Sequence, residues 1–104
     1  MEIRSVAHKG LRRLIEDGSA AGLPAAYVGK IEAILSFLSV APGIEAVQKL
    51  TVWRAHQLAG NRKGIWSLTV SRNWRITFRL GPEGKIDDLD FEDYHWETQV
   101  GAAP

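Results

Sequence analysis

The sequence predicts an α+β fold, in which two N-terminal antiparallel helices pack on one face of a small curved antiparallel β-sheet. Two observations predict this class. Apolar residues recur at helical spacing in the first half of the chain, whereas from about residue 65 they alternate with polar ones, as in strands. In addition, two closely spaced turns in the second half favour an antiparallel meander over parallel strands.

The first helix is predicted over residues 8–17, HKGLRRLIED, because its apolar residues have helical spacing and Gly18 stands where a C-cap belongs. The second helix follows Pro24, since proline suits a first helical turn. It should end before Pro42, and residues 44–50 suit a further short turn of helix. The apolar stripe of the second helix consists of Tyr27, Ile31, Ile34, Leu35 and Leu38.

Three strands are predicted after the helices, over about residues 66–71, 72–80 (RNWRITFRL) and 85–91, with residues 53–58 as a further strand or an extended loop. The sequence GPEG at 81–84 is a strong turn signal. Alternation gives the sheet a helix-facing side of Trp66, Leu68, Val70, Trp74, Ile76 and Phe78. The opposite, polar side then carries Ser67, Thr69, Arg75, Thr77 and Arg79.

The composition fits one globular domain, which we expect over residues 1–97 with a loose tail over 98–104. The chain has no cysteine, which excludes a disulfide framework and a thiolate metal site. It also has no apolar run of signal-peptide type and none near the length of about 18 residues that spans a membrane. We therefore expect a cytoplasmic protein with no membrane partner.

The net charge of +1 conceals an asymmetry along the chain. Residues 1–82 hold 12 Lys+Arg and 5 Asp+Glu, a net of +7, while residues 83–104 carry a net of −6. Such a split favours a basic surface that meets a polyanion, or two halves that neutralise each other in the fold.

Arg75 and Arg79 bear on the choice between a polyanion-binding surface and internal neutralisation, because two like charges on one face of a strand repel unless an anion lies nearby. The acidic third strand, with Asp87, Asp88 and Asp90, is one candidate for that anion. A phosphate chain is the other.

The residues available for chemistry point away from several enzyme classes. The sequence has no H-E-x-x-H, no glycine loop of the P-loop or dinucleotide type and no G-x-S-x-G. What remains suits cleavage of RNA without a metal. One group removes the proton of a ribose 2′-hydroxyl, cations stabilise the phosphate oxygens, and a second group protonates the departing 5′-oxygen. The candidates are His56, His95, Tyr94, Arg62, Lys63, Arg75 and Arg79, while His8 is interpreted as structural or solvent-facing.

The runs GIWSLTVSRNWRITFRL and IDDLDFEDYH resemble the HigB-type toxins of the RelE/ParE superfamily, as do HKGLRRLIEDG and PAAYVGKIEAILSFL. The similarity covers about residues 3–95. The resemblance implies a RelE-like fold and ribosome-dependent cleavage of messenger RNA with no cofactor. It also implies a small helix-turn-helix antitoxin that neutralises the toxin and represses its operon, so that DNA is contacted only through the antitoxin complex.

The resemblance also carries over particular residues. His56 matches the loop histidine of the family, and Asp93, Tyr94 and His95 match its C-terminal DYH. Arg75 matches an arginine that is thought to hold the scissile phosphate. These five are the expected catalytic residues, and the choice of acid and base between the two histidines stays open. Arg62, Lys63 and Arg79 are expected to bind RNA phosphates.

Two departures from the family pattern leave an alternative function open. Relatives commonly read H-P-L-K-G where this chain reads HQLAG, so Ala59 replaces a lysine, whose charge Arg62 or Lys63 would have to supply. The chain also continues past His95 with WETQVGAAP. The alternative is a non-catalytic toxin, as in the ParE branch, that acts only through protein partners. The retained His56 and DYH count against it.

Overall fold

The computed structural model of the chain describes residues 1–93. The predictions for Tyr94 and His95, the domain boundary at residue 97 and the tail over 98–104 therefore lie outside the described residues.

Within residues 1–93, three α-helices precede the sheet: α1 (Lys9–Asp17), α2 (Val28–Val40) and α3 (Ile44–Lys49). The structural interpretation of His8 is confirmed, because its Nδ1 accepts hydrogen bonds from the backbone N–H groups of Gly10 at 3.0 Å and Leu11 at 3.2 Å. This caps the first turn of α1. At the other end Gly18 is left-handed, with φ 72°, as predicted for a C-cap.

Four strands form one antiparallel sheet in chain order: β1 (His56–Gln57), β2 (Ile65–Thr69), β3 (Trp74–Leu80) and β4 (Ile86–Asp93). The predicted meander is confirmed, although β4 continues two residues beyond the predicted end. Of the uncertain region 53–58, only His56–Gln57 is a strand.

The sequence did not predict the role of the N-terminal segment. Ile3 forms a parallel bridge with Ile86, and Val6 forms another with Leu89, so the segment lies along the outer edge of β4. Arg4 adds an ion pair with Asp87, in which the Nε–Oδ1 distance is 2.7 Å. The edge of β4 is therefore covered, which removes a row of unpaired backbone groups from the surface.

The helices pack on one side of the sheet and form a single apolar core with it. Its most deeply buried members include Leu11, Ile31, Ile34, Leu38, Leu68, Ile76 and Phe78. Trp74 lies at the border of this core, where its ring stacks on Phe91 at 4.6 Å between centroids. The predicted helix-facing side of the sheet is confirmed. The opposite, polar side is the candidate functional surface.

Candidate active site

The register of the four strands arranges the polar side in rows. One row crosses the whole sheet and contains His56, Ser67, Thr77 and Asp90. The next contains Thr69, Arg75 and Glu92. The sequence predicted this side as an ordinary outer face, but its centre is buried, since Ser67 is 0% exposed and Thr77 is 2% exposed.

Arg62 is the cation nearest to the centre of this side. Its Nη2 donates to Oε2 of Glu92 at 2.6 Å, and the Thr77 hydroxyl donates to the same oxygen. Burial would raise the pKa of Glu92, but the hydrogen bonds from Arg62 and Thr77 outweigh it and leave that pKa below its usual value. Glu92 is thus an ionised partner of Arg62 at neutral pH.

The His56 ring lies at the exposed edge of the sheet, on the short strand β1. Its Nδ1 is 2.8 Å from the backbone oxygen of Arg54, which has the left-handed conformation with φ 51°. A carbonyl oxygen can only accept a hydrogen bond, so Nδ1 is the protonated nitrogen of the neutral ring. The other nitrogen, Nε2, then carries the lone pair that can accept a proton.

Arg75 is half-buried and closes the turn between β2 and β3. Its Nη1 donates to the backbone oxygens of Ser71 at 2.6 Å, Trp74 at 3.1 Å and Arg72 at 3.2 Å. Arg75 also lies across from Glu92 in the strand register. The turn thus fixes the guanidinium at one end of the polar side.

Lys63 and Arg79 are exposed, and neither side chain makes a hydrogen bond or ion pair within residues 1–93. Arg79 lines a cavity of about 190 Å³ on the polar side together with Arg62, Thr77 and Glu92. Its cross-strand neighbour, Asp87, pairs with Arg4 instead.

Of the two candidate anions for Arg79, the acidic strand is therefore not its partner within residues 1–93. The reason is that the carboxylates of β4 have other partners. Arg4 takes Asp87, and Oδ1 of Asp90 accepts the backbone N–H of Phe91 at 2.9 Å. Asp88 lies at the irregular position of β4, with φ 54°.

Asp93 is the last residue of β4 and pairs in register with Trp74. By alternation it lies on the side of Phe91, which faces the helices, whereas Glu92 lies on the polar side. The structure therefore brings His56, Arg62, Arg75 and Arg79 to one side of the sheet and leaves Asp93 at its end. Sequence reasoning missed Glu92, although its two-residue spacing from Asp90 places it on the polar side.

Two further properties concern the described residues 1–93. No group of three or more His, Asp or Glu side chains in this part of the chain is arranged to hold a metal ion. None of its helices combines the length and apolar character that crossing a membrane requires.

Comparison with solved structures defines the fold class first. The fold matches YafQ from E. coli strain BL21(DE3) with a TM-score of 0.55 and 13% identity, over 88% of this chain and 93% of that one. It also matches a YoeB/ParE toxin from Agrobacterium tumefaciens with a TM-score of 0.53 and 15% identity, over 92% of this chain and 100% of that one. At such low identity these likenesses show the fold alone, and that fold is RelE-like.

Sequence comparison then gives the family. A family model described as the RelE-like toxin of the type II toxin–antitoxin system HigB matches residues 4–95. The chain is also 41% identical to "Endoribonuclease HigB" of Proteus vulgaris over 93 residues, which cover 89% of this chain and 99% of that protein. The chain belongs to the HigB-like toxin family, and this membership implies a cognate antitoxin as its partner.

Proposed function

We propose that this HigB-family toxin is an endoribonuclease that cleaves messenger RNA on the ribosome without a metal ion and thereby halts translation. The observation that carries the proposal is the 41% identity to an endoribonuclease over almost the whole of both chains. The polar side of the sheet supports it, because His56 and several cations lie on that same side.

In the proposed reaction the ribose 2′-hydroxyl loses its proton and its oxygen attacks the adjacent phosphorus. The P–O5′ bond breaks, the 5′-oxygen takes up a proton, and a 2′,3′-cyclic phosphate remains. His56 suits the first proton transfer, since its Nε2 is the available lone pair. Arg75, with Lys63 and Arg79, stabilises the charge on the phosphate oxygens.

The C-terminal residues complete the proposed site. Asp93, Tyr94 and His95 carry the family's DYH motif. We assign the proton donor for the 5′-oxygen to Tyr94 or His95, with Asp93 orienting one of them. His95→Ala is expected to abolish growth arrest, measured by colony counts after induction, while the circular dichroism spectrum stays unchanged. A toxic, well-folded His95→Ala protein would remove this residue from the mechanism.

The proposed partners are the ribosome with its messenger RNA and a small helix-turn-helix antitoxin, through which alone the toxin would reach DNA. This places the protein in the cytoplasm. The antitoxin would neutralise the toxin by direct binding. Co-purification of this chain with any small helix-turn-helix protein encoded next to its gene, followed by an operator-binding assay with and without the toxin, tests the antitoxin and DNA assignments.

A second candidate is a non-catalytic toxin that binds a protein target. Ala59 favours it, because the usual lysine is missing, and Arg62 is already engaged with Glu92. Primer extension on cellular messages after induction separates the two functions. Discrete cuts that disappear when translation is blocked support the nuclease, whereas DNA breaks without RNA cuts support the second candidate.

A further inference from the structure

We propose that Glu92 is a positioning residue of the nuclease site. It holds Arg62, and with it the connection over residues 58–64, across the polar side of the sheet. We call residues 58–64 the cationic loop. This inference rests on the proposed function and assigns Arg62 to positioning, so that Arg75, Lys63 and Arg79 are the cations that would meet RNA phosphates.

The geometry of the ion pair requires a long reach. The cationic loop joins β1 and β2 at one edge of the sheet, whereas Glu92 lies on β4 at the other. The cationic loop and the Arg62 side chain together therefore span β2 and β3 to reach Glu92, at a point where Thr77 donates to the same carboxylate oxygen. This passage accounts for the burial of Thr77 on a side of the sheet that should be open.

Short-range backbone hydrogen bonds give the cationic loop its shape. Leu58 is buried and its N–H donates to the backbone oxygen of Ile65 at 2.8 Å. Lys63 closes a turn onto Gly60 at 3.1 Å, and Gly64 has φ 92°. These contacts all fall within the loop and its base. The Arg62–Glu92 pair, in contrast, joins its tip to a strand 30 residues away.

The position of the cationic loop matters because it sets the position of His56 and Lys63. His56 precedes the loop on a strand of two residues, which contributes little stability of its own. A small displacement of a catalytic group is costly, and misplacement by about 1 Å can reduce a rate by about 100-fold. The ion pair between Arg62 and Glu92 therefore affects the reaction indirectly, through the positions of His56 and Lys63.

The charge of Glu92 gives the proposal a distinctive signature. A carboxylate beside an RNA site repels phosphate unless a cation neutralises it. Loss of Arg62 alone would leave the charge of Glu92 without its arginine partner, whereas loss of both charges would leave neither member of the pair charged. The variant Arg62→Met should therefore be impaired more than the double variant Arg62→Met/Glu92→Gln. If Arg62 instead bound phosphate directly, the double variant would be impaired far more than Glu92→Gln, in which Arg62 is still present; if Arg62 only positions the loop, the two should be similar.

The test is steady-state cleavage of a defined messenger RNA on programmed ribosomes, with amide hydrogen exchange of residues 58–64 measured on the same proteins. Glu92→Gln is expected to lower kcat by about 10-fold, with little change in KM, and to accelerate exchange in the cationic loop. Asp87→Asn is the matched control, because it removes another Arg–carboxylate pair from β4. It should leave cleavage and loop exchange unchanged.

Two results would overturn the inference: wild-type cleavage and wild-type loop exchange in Glu92→Gln, or a double variant whose loss equals the product of the single losses. Thermal unfolding of each variant guards against a general loss of fold. If the wild-type protein does not cleave the message, the proposed function fails. The exchange of the cationic loop in Glu92→Gln still decides whether Glu92 positions it.

Discussion

The two sides of the sheet are organised by different physical rules, and β3 shows both. Ile76 and Phe78 face the helices and are buried because water is excluded from an apolar core. Thr77, between them on the other side, is equally buried, but it is covered by a charged pair to which it is hydrogen-bonded. Burial on the helix side thus follows from the hydrophobic pattern, whereas burial on the polar side depends on specific polar partners.

The contrast predicts that changes on the helix side act on stability, and Phe78→Ala should have the largest effect. Truncation of a buried phenylalanine typically costs about 3–5 kcal/mol through lost burial and a residual cavity. Urea unfolding followed by tryptophan fluorescence would measure it. A loss below about 1 kcal/mol would mean that the core is less tightly packed around Phe78 than its burial indicates.

On the polar side, His56→Ala should act on rate and leave stability nearly unchanged. The loss of a proton-transfer group typically costs about 100-fold or more in rate, and an exposed side chain contributes little to folding. Ribosome-dependent cleavage and thermal unfolding of the same preparation give the two values. Gln57→Ala, on the same short strand, serves as the control. Unchanged cleavage by His56→Ala would exclude His56 from the chemistry.

Arg75 should affect both rate and stability, since it lies on the polar side and its side chain also holds the turn between β2 and β3. Arg75→Gln should lower the cleavage rate by about 100-fold, as expected for a lost charge-stabilising donor. It should also cost about 1 kcal/mol of stability, because three backbone oxygens lose a donor. A stability loss with no rate loss would reduce Arg75 to a purely structural residue.

The smallest expected effect is a pH dependence of stability at Glu92. The pKa of Glu92 is lowered in the folded state, so its contribution is present above the unfolded value of about 4.3 and is lost as the pH falls through the lowered pKa. Because the pair is partly exposed, we expect under about 1 kcal/mol. Unfolding of wild type and Glu92→Gln should differ at pH 7 and converge only once the pH has fallen below the lowered pKa of the folded state. A difference that persists in acid would contradict this assignment.

The same distinction explains what could be predicted from the sequence. Helical and alternating spacing predicted α1, α2 and strands β2 to β4, because these patterns repeat over many residues. The pairing of the N-terminal segment was missed because it consists of two isolated bridges, at Ile3 and Val6, which produce no repeating pattern of apolar residues in the sequence.

The site residues divide in a similar way. Alternation placed Arg75 and Arg79 on the polar side, and the family motif pointed to His56. The partner of Arg62 was not predictable, because Glu92 lies 30 residues further along the chain and β4 holds four other acidic residues. Which carboxylate pairs with which cation depends on the register of β3 and β4 and on the irregularity in that register, and neither can be predicted from a local sequence pattern.

The pairing of the N-terminal segment with β4 has a consequence for synthesis on the ribosome. Ile3 and Val6 leave the exit tunnel early, but Ile86 and Leu89 emerge only after more than four-fifths of the chain has been made. The polar side also needs β4, since Glu92 anchors Arg62. The covered edge of β4 and the Arg62–Glu92 pair can therefore form only late in synthesis, when most of the chain has already been made.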